Sequence, residues 1–342
     1  MKNNKLIRLF DRLFNTKTLL MSVSILSLSI VSTTGMSANH NEKGSVQNTS
    51  LSSTQQGTFD EVVFDLLSII ISSNYDPDVD DALTMLDQYW QPEYIPQVLE
   101  TIAYTSSTLS SGKTIGLLEK KTGQTFGRNL NQWYFWLWNQ PLNLSANYAD
   151  FKASLYRNID PRFEKYFHMR QASARIRLDE IRWGGVLQDG IPPLRQPKMI
   201  AAKDADYLQG DNVVFGIEIN GDARAYPKRI LAWHEMFVDT IGGVDIAGVY
   251  CTLCGTVIPY KTRLKGVDYN LGTSGFLYRS NKLMYDKATQ SLWNTLKGEP
   301  VLGPLVDKGI KLEHLSVVTT TWAEWKRRHP NTSVLSLSLI HI

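Results

Sequence analysis

The sequence predicts an α+β protein: a helical N-terminal domain followed by a mainly antiparallel β domain, built as a sandwich or an open barrel. Three observations predict it. Apolar residues recur at helical spacing from Phe59 onward, and the texture changes at Trp183-Gly184-Gly185. After that point short alternating runs are separated by Gly-containing turns such as Asn220-Gly221.

The chain has 342 residues, 43% of them hydrophobic and 11% aromatic, which is enough for sizeable cores. Roughly 300 residues beyond a leader suit two domains, at about 150 residues each. A formal charge of +3 is too small to argue for nucleic acid, and no nucleic-acid partner is expected.

Residues 1–38 read as a signal peptide. Lys2, Lys5, Arg8, Arg12 and Lys17 form a basic region, Leu19 to Val31 is apolar, and small residues lead to a cleavage site at Ala38. The apolar run is shorter than the about 20 residues that span a bilayer. Met36 fits the small-residue rule poorly, so an uncleaved anchor stays open, and no cysteine follows to carry a lipid. The expected location is periplasmic or secreted, with no transmembrane segment in the mature chain.

Residues 39–58, rich in Asn, Ser, Thr and Gln, read as a disordered linker. The helical domain then covers 59–182. Val62, Val63, Leu66, Leu67 and Ile70 make one stripe, and Leu83 with Leu86 begins a second. A third helix carries Val98, Leu99 and Ile102, and a fourth, after Asn131, carries Trp133, Trp136 and Leu137 as core residues. Two more are expected over 146–157 and 161–182, the latter with its arginines on a solvated face.

The β-rich domain covers 183–336. Val213, Phe215, Ile217 and Ile219 alternate up to Asn220-Gly221, and Pro227 opens a short helix with Ile230, Trp233, His234 and Phe237. Ile241-Gly242-Gly243-Val244 and Lys265-Gly266 are further hairpin turns. Met284-Tyr285-Asp286 reads as a strand ending in an Asp-initiated turn. Residues 337–342 back-translate to a sequencing-library adaptor, so they read as an artefact and His341 carries no argument.

Cys251 and Cys254 are the only cysteines, set as Tyr250-Cys251-Thr252-Leu253-Cys254-Gly255. In an oxidising compartment such a pair is a redox couple, half of a metal site, or a plain disulfide. Strand residues precede it and Gly255-Thr256-Val257-Ile258-Pro259 follow. The helix N-terminus that stabilises a thioredoxin-type thiolate is therefore missing. As a staple it is weak, since closing so small a ring yields only about 2 kcal/mol.

For the redox reading the candidate catalytic residues are Cys251, Cys254, His234 and Glu235. The alternative is zinc or copper on Cys251, Cys254 and His234, with Glu235 or Asp239 as a fourth ligand. His234-Glu235-Met236-Phe237-Val238 lacks the second histidine of a zinc-protease motif, and Gly255 stands where haem attachment needs histidine. Gly272-Thr273-Ser274-Gly275-Phe276 lacks the last glycine of a nucleophile elbow.

Several motifs occur together and in order. They are Gly190-Ile191-Pro192-Pro193-Leu194, Gly221-Asp222-Ala223-Arg224-Ala225-Tyr226-Pro227, Leu231-Ala232-Trp233-His234-Glu235 and the cysteine segment through Thr256. Ser274-Gly275, Met284-Tyr285-Asp286, Ser291-Leu292-Trp293, Trp322 and His329-Pro330 complete the series. Over about residues 184–336 this resembles the domain of unknown function 3179 family. The resemblance implies an exported protein but no established activity. It also implies that the family's pattern runs on past the end of this chain, and that Thr252 stands where many members have proline.

The leading expectation is an exported thiol-disulfide oxidoreductase or redox sensor with a redox or protein partner, His234 and Glu235 moving protons. The other two are a metal-binding protein and a non-enzymatic binding or assembly module. No cofactor is named by any motif.

Overall fold

The computed structural model describes residues 53–337. The expected leader, the linker as far as residue 52 and the adaptor-like tail after 337 lie outside the described residues. The chain divides into two compact units between Asn147 and Tyr148. That division falls ahead of the change in texture at 183 from which the sequence drew its boundary.

Among the described residues the first unit holds five α-helices. α1 (Ser53–Ser72) starts within the stretch expected as linker and buries Val63, Leu66, Leu67 and Ile70. α2 (Asp76–Gln88) has a proline in its first turn and buries Val79, Ala82, Leu83 and Leu86. α3 (Ile95–Tyr104) is buried from Ile95 to Ile102 and contacts α1. Each large apolar side chain enclosed in this way stabilises by about 1.5–3 kcal/mol.

α4 (Thr108–Thr122) is a helix that apolar spacing did not reveal, because its sequence mixes serines and glycines with few apolar residues. Its ends show why it forms. The Ser107 side chain accepts from the Ser110 amide, and Gly123 closes the helix at φ 71°. α5 (Leu130–Leu137) is capped by Asn129, which accepts from the Gln132 amide, and encloses Trp133 as expected of a core residue.

The second unit begins with α6 (Tyr148–Arg157) and the short α7 (Glu164–Phe167). The continuous helix expected over 161–182 does not form. Met169 adopts a left-handed backbone (φ 54°), and only short 3-10 turns follow, at Gln171–Ser173 and Leu178–Glu180. The arginines of this stretch therefore do not share a solvated helical face. Arg162 pairs with Asp160 at 2.7 Å, Arg177 with Asp179 at 2.8 Å, and Arg170 donates to the carbonyls of Thr289 and Gln290. The apolar residues instead gather on the sheet, where Tyr156, Phe163, Tyr166 and Phe167 surround the Phe276 ring.

Sixteen strands follow among the described residues. The first eight are β1 (Ile181–Trp183), β2 (Leu194–Arg195), β3 (Met199–Ala201), β4 (Val213–Ile219), β5 (Asp222–Pro227), β6 (Met236–Ile241), β7 (Val244–Cys251) and β8 (Thr256–Lys261). The rest are β9 (Arg263–Leu264), β10 (Val267–Asp268), β11 (Leu271–Tyr278), β12 (Asn281–Asp286), β13 (Leu292–Asn294), β14 (Glu299–Leu302), β15 (Val318–Thr321) and β16 (Ser333–Leu335). Between β5 and β6 lies α8 (Lys228–His234), opened after Pro227 as the sequence predicts but closed at His234, so Phe237 belongs to β6 and not to the helix; between β15 and β16 lies α9 (Trp322–Arg328).

Three open sheets result, mainly antiparallel, and none closes into a barrel. Their orders are β1-β11-β12-β13-β14, β15-β4-β5-β16-β3 and β2-β6-β7-β8, with β9 and β10 as a separate ribbon. Only β16 against β5 and β2 against β6 run parallel. The three anticipated hairpins all form. Asn220-Gly221, Gly242-Gly243 and Lys265-Gly266 each place both residues at positive φ, the conformation that matches the twist of paired strands.

The β2-β6-β7-β8 sheet is the middle layer. Phe237, Ile241, Ile246 and Tyr250 face the cluster shared with Phe215, Ile217 and Tyr226. Their alternate neighbours Met236, Ala247 and Val249 face the cluster of Leu271, Met284 and Trp293. The period-two alternation of β6 and β7 thus buries both faces. Gly248 is required here: a Cβ would lie 2.0 Å from the Phe237 ring, which stacks on Tyr226 at 3.9 Å.

Candidate functional site

β7 carries its apolar run up to Cys251, which pairs with Thr256 across the β7–β8 hairpin. The intervening turn is closed by the Cys254 amide donating to the Cys251 carbonyl at 3.2 Å, and Gly255 (φ 65°) returns the chain into β8. The turn brings the two sulfurs together, Cys251 buried and Cys254 exposed. No helix follows the pair, in keeping with the sequence.

Two other elements close on this hairpin. α8 ends at Glu235, whose backbone is left-handed (φ 53°) and whose carbonyl accepts from the Tyr250 amide at 2.9 Å. The β11–β12 hairpin brings Asn281 and Lys282 from the neighbouring sheet. Asn281 Nδ2 donates to Cys254 Sγ at 3.4 Å. Lys282 Nζ donates to Glu235 Oε2 at 2.8 Å and to the Glu235 carbonyl at 3.1 Å, while Thr252 Oγ1 donates to Glu235 Oε1 at 3.1 Å.

Cys251, Glu235 and Lys282 line one pocket of about 190 Å³. Val186, Ile191, Leu253, Phe276 and Leu277 supply apolar walls, and Cys254 does not line it. Gly275 shapes the wall. It sits at φ 84° within the β11–β12 bulge, and a Cβ there would lie 2.5 Å from the Val186 carbonyl.

Burial pushes the Cys251 thiol above its ordinary range, reinforced by its hydrogen bond with Cys254. Burial likewise lowers Lys282 from the ordinary lysine value, against the opposing pull of Glu235 and of a thiolate at Cys251. Tyr250 is raised, first by burial and then by the negative charge of Cys251 and Glu235.

Of the residues singled out by sequence, Cys251, Cys254 and Glu235 come together. His234 does not join the pocket lining. It is buried, its Nδ1 donates to the Pro192 carbonyl at 2.9 Å, and its Nε2 has no partner. That leaves Nε2 in the state of a ligand histidine, but among the described residues no three His, Cys, Asp or Glu side chains gather to hold a metal. Asp239, the possible fourth ligand, is taken by Arg224 and Tyr226 at 2.8 and 2.6 Å. Asp286 accepts from Thr289, which makes the turn the sequence predicts.

Sequence reasoning missed Lys282 and Asn281. The available signal was faint: a lysine near the start of an otherwise apolar strand, Leu283-Met284-Tyr285, whose pattern asks for an inward side chain.

Residues 188–340 match the family model described as Protein of unknown function (DUF3179). The β-rich domain is similar to this family over residues 188–340. The match spans the cysteine hairpin, α8 and β12, so every polar residue of the site lies within the matched segment. No curated protein and no solved structure matches the chain. Among the described residues no helix is long and apolar enough to cross a membrane.

Proposed function

We propose that this chain is an exported thiol-disulfide redox protein whose working group is the Cys251/Cys254 pair. The supporting observation is the asymmetry of the pair. The sulfurs lie together, yet one is exposed and the other lines a pocket with an ion-paired lysine and glutamate.

Toward a macromolecular partner, Cys254 is the attacking sulfur. It is accessible, and the Asn281 amide donates to it at 3.4 Å. Attack on a partner disulfide forms a Cys254–partner bond and breaks the partner's S–S bond, and the released thiolate takes a proton. Cys251 then attacks Cys254 Sγ. The Cys251–Cys254 bond forms, the bond to the partner breaks, and the partner leaves as a dithiol.

Two electrons have passed from the pair to the partner, and the reverse sequence oxidises a partner dithiol. The raised Cys251 thiol suits the resolving position, because it stays protonated until a mixed disulfide is beside it. Glu235 is the pocket carboxylate that receives its proton, and the Lys282 ammonium offsets the thiolate charge. His234 holds the Pro192 segment in place.

Replacing either cysteine tests the reading. Cys251→Ser and Cys254→Ser should each abolish turnover of hydroxyethyl disulfide with a dithiol reductant, while the circular dichroism of the fold persists. Full turnover in both single variants would defeat it.

A further inference from the structure

We propose that the pocket beside Cys251 binds a small, uncharged, apolar thiol or disulfide and presents its sulfur to Cys251, leaving Cys254 to serve the solvent side. The inference rests on the redox reading above and names the substrate class of its buried face.

Three features of the pocket carry it. First, only one sulfur of the pair lines the space: Cys251 does and the exposed Cys254 does not. Any ligand held there therefore meets Cys251. Second, the walls are Val186, Ile191, Leu253, Phe276 and Leu277, drawn from three separate stretches of chain. A volume of about 190 Å³ exceeds the about 150 Å³ of a dry apolar cavity that accepts benzene, so a substituted ring or a branched aliphatic group fits.

Third, the charges at the floor cancel. Lys282 and Glu235 are paired at 2.8 Å with side chains only 10% and 18% exposed. A charged ligand would have to break that pair or sit uncompensated among apolar walls, both costly in a desolvated site. An uncharged ligand meets neither obstacle.

The chemistry balances without a further oxidant. A ligand thiol, bound neutral, loses its proton as its sulfur attacks Cys251 Sγ of the oxidised pair. The ligand–Cys251 bond forms, the Cys251–Cys254 bond breaks, and the electron pair goes to Cys254, where the Asn281 amide receives the charge. A second ligand thiol then displaces the first from Cys251. The ligand leaves as its disulfide, and the two thiol protons end on Cys251 and Cys254. Run backwards, the same steps reduce the ligand disulfide, and a dithiol acting on Cys254 from solvent restores the pair.

The test uses two coloured probes, neutral dipyridyl disulfide and dianionic bis(carboxy-nitrophenyl) disulfide. In Cys254→Ser only Cys251 reacts, and Cys254 in Cys251→Ser supplies the reference for intrinsic probe reactivity. Normalised to that reference, Cys251 should prefer the neutral probe by about tenfold or more, the discrimination one well-fitted apolar group provides. Leu277→Trp and Ile191→Trp fill the pocket from different segments, and each should remove that preference by slowing the neutral probe at Cys251.

Equal normalised rates, or an undiminished preference in both filled variants, would overturn the pocket assignment. The wild-type chain separates this from the redox reading. It should release a second equivalent of thiopyridone as the Cys251–Cys254 bond closes, whereas a stable adduct after one equivalent would overturn the redox reading and leave the pocket standing.

Discussion

Glu235 closes α8 in a left-handed conformation that glycine adopts freely and a branched-off side chain adopts at a cost of about 1–2 kcal/mol. What its side chain does there is compensate Lys282, so local backbone preference is overruled by an ion pair across two sheets. Glu235→Gly should relax the backbone yet leave the ammonium buried with only a carbonyl. We expect a net loss of about 1–4 kcal/mol at neutral pH, the cost of breaking a buried pair less the relieved strain.

The loss has a pH signature. Lys282 is held below its ordinary value of 10.5, so the folded state favours the neutral amine. The cost is present in full while the lysine is charged in both states and fades as pH rises through the folded value toward the unfolded one. Urea midpoints of wild type and Glu235→Gly should therefore converge as pH approaches 10.5. A gap that stays constant would show that the glutamate acts through its backbone alone.

Cys251 makes a second residue-scale prediction. Burial raises its thiol first, and that cause survives removal of its neighbour. In Cys254→Ser, the rate of Cys251 alkylation by iodoacetamide should climb only above the ordinary thiol range. A midpoint at or below that range would mean that Lys282 outweighs desolvation.

At the scale of elements, the bulge in β11 sets the pocket wall. Gly275→Ala would place a Cβ against the Val186 backbone at a φ that side chains avoid, and neither chain segment can yield cheaply. We expect a loss of about 2 kcal/mol or more in thermal or urea unfolding, from left-handed strain together with overpacking. A loss below about 0.5 kcal/mol, the range of an ordinary surface substitution, would show that the wall is not rigid.

Elements defined by local chemistry were legible before the structure. Asn220-Gly221, Gly242-Gly243 and Lys265-Gly266 announce their hairpins because a two-residue turn leaves few other choices. Pro227 marks α8 because it fixes φ where a helix begins. The helix expected over 161–182 failed for the complementary reason. Its arginines pair locally or with the sheet, Phe163, Tyr166 and Phe167 serve the Phe276 ring, and nothing in a local window shows where the chain turns at Met169. α4 was missed because its caps, Ser107 and Gly123, carry a signal that apolar periodicity does not count.

On the scale of the whole molecule, half of the site is local and half is not. Cys251, Cys254 and their turn belong to one hairpin and read directly from sequence. Lys282 and Asn281 reach them from another sheet, and that pairing is decided by layer packing, which no short motif encodes. His234 drew attention as the neighbour of Glu235. At the end of a helix, however, adjacent side chains diverge, and the histidine turned to Pro192 while the glutamate turned to Lys282.

The pair also contributes little to holding the molecule together. Closing so short a ring constrains the unfolded chain by about 2 kcal/mol, so oxidised and reduced protein should differ in stability by no more than that. A larger gap in urea unfolding would mark the pair as a structural bridge.

The reduction potential of the pair tests the central claim most directly, measured by thiol trapping and mass spectrometry of the whole protein across dithiol buffers. A functional couple predicts a potential above about −250 mV, within reach of cellular dithiols, and a potential below about −300 mV, the range of structural disulfides, would contradict the account.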